Sequence, residues 1–218
     1  MKTLLCILLV PFFVALSGCS TSKITSSWRT PDVVQTPIKK IMVVGLIKEA
    51  DRTMRQELEE HMIDDLKTLG YDAVSAYKEY GPKAFDGLDE KAALEKLKNS
   101  NVDAVITIVL LSKQRERFYR PATIMQTPYS VNYSKFWGYY SALSDRIYTP
   151  GYYETSTKYF WESNMYCMCD KALLYSSQTQ SFNPASAGAM GHEYGKKIVA
   201  DMVKKKILTG HSNNVSTE

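Results

Sequence analysis

Two strongly apolar runs, at residues 40–47 (KIMVVGLI) and 102–111 (VDAVITIVLL), constrain this chain more than anything else in it. Neither alternates apolar with polar positions, so each suits a strand buried on both faces of a sheet rather than one with a wet side. The chain between them supplies the covers. Met54, Leu58, Met62, Leu66 and Leu69 fall on one helical face, Thr53 and Gln56 have capping-box spacing, and Gly70 follows as the stop. Residues 71–77 (YDAVSAY) read as another strand, and residues 89–98 (DEKAALEKLK) as a second helix with Leu94 and Leu97 inward. Strand, helix, strand, helix, strand implies parallel pairing through right-handed crossovers. The expected fold is α/β: a mixed sheet with parallel strands at its centre, an antiparallel hairpin at one side, and helices packed on it.

Past this unit the composition changes. Residues 112–120 (SKQRERFYR) alternate loosely, as a strand does on leaving a buried sheet, and Pro121 ends them. Residues 121–157 are rich in Tyr, Ser, Thr, Pro and Gly, and ten of the 15 tyrosines lie between Tyr119 and Tyr166. A connection of this length without periodicity is uncommon inside a compact domain and is usually functional or disordered. Tyrosine gives amphipathic contact area at low entropic cost, so Tyr139, Tyr140, Tyr152 and Tyr153 are the candidate partner-binding residues. The bland alternative is a loop folded over the sheet with its rings half buried. Residues 159–167 and 172–181 then read as a hairpin joined at 169–171. Asn183-Pro184 has the form of a cap and first turn for a last helix reaching about residue 208. Gly188, Gly191 and Gly195 share one face of that helix, allowing close approach to the sheet. Residues 210–218 read as a frayed tail.

The N-terminus gives an address. Lys2 precedes an apolar run over residues 4–16, too short for a hydrocarbon core that takes about 20 residues but suited to a signal-peptide core of roughly 7–15. Leu16-Ser17-Gly18-Cys19 follows, and this arrangement resembles the bacterial lipoprotein signal, in which the Cys is acylated and becomes the first residue of the mature chain. Residues 1–18 are then a signal peptide, Cys19 the lipidation site and residues 19–38 a flexible tether. Residues 39–209 form a single domain with the Tyr-rich insertion at 121–157. Ser20, rather than Asp, follows the Cys, which by analogy with known sorting preferences points to the outer membrane, facing the periplasm.

Little in the chain suggests catalysis. The loop after the first strand, GLIKEADR, has neither GxGxxG nor GK[ST], so it cannot wrap a phosphate in the usual manner. There is no GxSxG, and His192-Glu193 lacks the second His of a zinc-protease helix. A formal net charge of +4, and no basic stripe interleaved with stacking aromatics, argue against nucleic acid. With Cys6 lost in the signal and Cys19 acylated, only Cys167 and Cys169 remain. They could close a small reducible ring in a turn, or serve a periplasmic thiol or metal protein, although a metal would want further ligands.

From SSW through KKIMVVGL, the helix with Arg55, LKTLGYDAVSAY, GYY and PGYY to SSQTQSFNPAS, the mature chain resembles a family of small Gram-negative envelope lipoproteins of unknown function. That family is distantly similar in fold to the N-terminal domain of TolB and to the curli secretion lipoprotein. The resemblance carries over no catalytic residue, and no cofactor or metal is expected. The preferred reading of the chain is a non-enzymatic, membrane-anchored module that binds an envelope protein or glycan, with the Tyr-rich insertion as contact surface. The thiol or metal protein is the alternative, and an unrecognised hydrolase a weaker one.

Overall fold

The structure, a computed structural model, describes residues 21–31, 37–83, 85–121, 136–137 and 151–210. Its strands are β1 (Ser22–Arg29), β2 (Lys40–Leu46), β3 (Asp72–Ser75), β4 (Ala104–Arg120), β5 (Tyr152–Cys167) and β6 (Leu173–Phe182). Its helices are α1 (Arg52–Thr68), α2 (Ala76–Tyr80), α3 (Glu90–Asn99) and α4 (Ala187–Lys204). The strands make one six-stranded sheet in the order β1-β6-β5-β4-β2-β3. Strand β2 runs parallel to both β3 and β4, and the other pairings are antiparallel. The α/β class and the mixed sheet follow from the apolar runs: β2 contributes Ile41 and Val43 to one face and Met42 and Val44 to the other, all buried.

The larger core lies between one face of the sheet and α1 and α4. Ile41, Ile106, Ile108, Trp161, Met165 and Tyr175 of the sheet meet Leu58, Met62 and Leu66 of α1 and Met190, Tyr194 and Met202 of α4. On the opposite face a smaller cluster of Met42, Val44, Val102 and Val105, with Leu97 of α3 against it, covers only the parallel side.

Several local expectations give way to packing. Helix α1 begins one residue before Thr53, and its N-cap Asp51 makes no side-chain cap bond, so the Thr53–Gln56 box is not formed. Residues 76 and 77 leave the expected strand for α2, because the Ser75 hydroxyl accepts the Lys78 amide and caps a helix there. Asn183 does not open the last helix. With φ of 40° it closes β6 against Thr157, and Ser186 caps α4 by accepting from Ala189. The glycines of α4 face α1 rather than the sheet: a Cβ at Gly191 would sit 2.8 Å from the Glu57 carbonyl, and one at Gly195 3.1 Å from the Met62 amide.

The largest correction concerns the tether. Ser22–Arg29 is edge strand β1, paired with β6 from Ser22↔Ser181 to Arg29↔Tyr175. Its serines hid it, since an edge strand needs only alternate inward residues and Ser22 is one of them, bonded to the Ser181 hydroxyl at 2.8 Å. The residue before β1 is fastened too. The Thr21 amide and hydroxyl both donate to Glu193 of α4, at 2.8 and 3.0 Å, and the Thr21 carbonyl accepts from Phe182.

Candidate functional site

Strand β4 does not stop where the sheet stops. Its neighbour β2 leaves it at Val109, and β6 leaves β5 at Lys158, yet β4 and β5 go on pairing to Arg120↔Tyr152. From Arg115↔Thr157 onward six successive pairs have no third strand among the described residues. At about 3.3 Å per residue the two-stranded ribbon extends roughly 20 Å past the sheet. Residues 112–120 and the end of the Tyr-rich segment thus form one hairpin stem, and Tyr152–Thr157 belong to a strand rather than to an irregular insertion.

The period of two gives the stem two different faces. One carries Arg115, Arg117 and Tyr119 opposite Thr157, Thr155 and Tyr153. There the Arg117 guanidinium lies 4.3 Å from the Tyr153 ring centre, and the Tyr119 and Tyr153 rings are 5.1 Å apart. The other carries Glu116, Phe118 and Arg120 opposite Ser156, Glu154 and Tyr152, with ion pairs Lys158–Glu116 (2.9 Å) and Arg120–Glu154 (2.7 Å). A Cβ on Gly151 would collide with the Tyr119 hydroxyl, which fixes glycine at that point. Tyr152 and Tyr153 are 61% and 60% exposed, Tyr119 56% and Phe118 49%, so among the described residues no core lies behind these rings.

Of the residues expected to bind a partner, Tyr152 and Tyr153 therefore lie on opposite faces of this stem. Tyr139, Tyr140 and the lipidation residue Cys19 lie outside the described residues. Sequence reasoning did not select Phe118, Tyr119, Arg115 or Arg117, although the alternation in SKQRERFYR was their signal.

Three other constellations stand apart from the stem. Cys167, buried at the end of β5, is disulfide-bonded to exposed Cys169 in the following turn, with Cα atoms 5.4 Å apart. Together with Asp170 they are close enough to suggest a metal group, but as a disulfide the pair offers no thiolate ligand. Behind the end of β2, fully buried Glu59 accepts from the Gly45 amide (2.8 Å), Arg55 Nε (3.3 Å), the Tyr77 amide (3.2 Å) and the Ser75 hydroxyl. Arg55 donates onward to the Pro82 carbonyl at 2.8 Å, beside a cleft of about 570 Å³ lined by Leu46, Lys48, Pro82 and Phe85. The Gly45 and Tyr77 amides are thus taken by the protein's own carboxylate. Between α1 and α4, His61 and His192 pack edge to face at 5.6 Å, and His61 lies 3.6 Å from Glu57.

Among the described residues no helix is long and apolar enough to cross a membrane. No family model and no curated protein matches the chain. Among solved structures it is similar to a PelC dodecamer from Paraburkholderia phytofirmans, at 11% identity and TM-score 0.44, over 82% of this chain and 95% of that one. It is also similar to lipoprotein GNA1162 from Neisseria meningitidis, at 12% identity and TM-score 0.42, over 76% and 99% of the two chains. A PDZ domain protein from Parabacteroides distasonis gives 10% identity and TM-score 0.37, over 84% and 37%. Likenesses this distant say nothing about function.

Proposed function

We propose that this chain is a non-enzymatic envelope lipoprotein, anchored through Cys19 in the outer membrane and facing the periplasm. It holds an envelope partner through the β4–β5 stem and the Tyr-rich segment that continues from it, including Tyr139 and Tyr140. The observation that carries this reading is the set of half-exposed rings at Phe118, Tyr119, Tyr152 and Tyr153 on a ribbon with no core behind it among the described residues. Cross-strand contact accounts for the Tyr119–Tyr153 pair but not for leaving four such rings half exposed, whereas a binding surface uses aromatic anchors of this kind. The test is affinity capture from crosslinked envelopes, comparing the native lipoprotein with one carrying Ala at those four positions. Loss of the crosslinked partner with an unchanged unfolding midpoint is expected. Unchanged capture, or a stability loss of several kcal/mol, would show the stem to be structural.

A further inference from the structure

The direction of the stem and the position of the anchor meet at one end of the molecule. Ser22, at the start of β1, lies in one row with Ser181, Tyr159 and Lys113, and the stem leaves the sheet beyond that row. Thr21 is fixed beside Phe182, which pairs with Lys158. From there the stem runs six residues further, to Tyr152, or about 20 Å. Between Thr21 and Cys19 there are only two Cα steps, a reach of at most about 7 Å. An anchor this short cannot lift the stem clear of the surface in which Cys19 is embedded. Upright, the ribbon overshoots the anchor by roughly 13 Å; inclined, it lies with one face along the headgroups.

Resting on the lipid anchor of the proposed function, we infer that the stem's Arg115–Arg117–Tyr119–Tyr153 face is a bilayer-contact surface that binds anionic phospholipid headgroups. The two faces are not equivalent for this purpose. The opposite face contains Glu116 and Glu154, each tied to a cation. On the contact face, among the described residues, neither Arg115 nor Arg117 meets a carboxylate, and Arg117 lies instead over the Tyr153 ring. Arginine stems can lie along apolar surface with the guanidinium at phosphate level. Tyr rings, apolar in the body and polar at the tip, favour the same depth. The occupant of this one face is thus the membrane that holds the anchor, recognised by charge and by interfacial aromatics, beside whatever partner the stem holds.

The experiment uses the unacylated mature chain from Ser20, which retains every strand and helix described, and sedimentation with phosphatidylethanolamine vesicles with and without phosphatidylglycerol. Binding that requires phosphatidylglycerol and weakens with salt is expected. Each cation at an anionic surface is worth about fivefold in affinity, so Arg115→Gln with Arg117→Gln should weaken binding roughly 25-fold. Tyr119→Ala with Tyr153→Ala should weaken it as well, while Lys23→Gln on β1 should cost less than either pair. Equal binding to both vesicle types, or no effect of the stem substitutions, overturns the assignment. Absent vesicle binding with a stem-dependent crosslink in whole envelopes overturns it too, but leaves the proposed function standing. If the stem substitutions alter neither, both fall.

Discussion

Glu59 has no contact with solvent, and its four donors come from α1, β2, β3 and the start of α2. It therefore ties the first crossover together at the ends of the parallel strands. Arg55→Ala would leave that carboxylate buried without its cation and should cost about 3 kcal/mol or more in urea unfolding, since breaking one side of a buried pair exposes the desolvation cost of the other. Gly45→Ala should be destabilising as well, because its Cβ would fall 2.8 Å from Arg55 Cγ and 2.9 Å from Glu59 Oε1. In the sequence Arg55 and Glu59 look like an ordinary i,i+4 surface pair. Only Gly45, distant in sequence and without a side chain, lets the helix come close enough to bury them. Asp65 is a second case. Burial raises its pKa above the ordinary 3.8, against the opposing effects of His192, His61 and Lys196 and with a small push from Asp64. A raised acid stabilises the fold while protonated, and this contribution is lost as pH rises from the ordinary value through the folded one. Asp65→Asn should therefore be more stable than the native chain at neutral pH, the gain shrinking toward zero as melting is repeated below pH 3.8.

Among the elements, strands β2 and β4 were legible because strands buried on both faces must be apolar at consecutive positions, and α1 and α4 because their buried faces keep a helical period. Strand β1 was not. An edge strand, inward at every second residue and with small serines sufficing there, has the composition of a linker. The β4–β5 stem was half legible: residues 112–120 alternate, but a strand without a sheet on either side has no apolar requirement to mark its end. Its limits decide what can be removed. Replacing residues 122–150 by a short Gly-containing turn should leave folding intact, since Arg120 and Tyr152 are already paired. Denaturant unfolding of the shortened chain should remain cooperative. Cutting back through Tyr152–Thr157 should instead remove the contact face itself.

At the scale of the whole molecule, the disulfide stands at the end of β5 remote from the stem, since Cys167 pairs with Ala104, the first residue of β4. Replacing both cysteines by Ser opens a ring of three residues, for which chain entropy predicts a loss of about 1.6 kcal/mol. Partner capture and vesicle binding should be unaffected, and a stoichiometric metal lost with the pair would instead favour the thiol or metal reading. The membrane end is organised differently, because the chain enters its fold there through β1. Tension applied to residue 19 along the axis of that strand enters the domain through it. It loads the seven paired positions of the β1–β6 ladder in shear, all together, rather than peeling them one at a time. An edge strand that looks expendable by composition is thus the molecule's mooring, and a force-clamp pull from residue 19 should find the domain holding until β1 slides out whole.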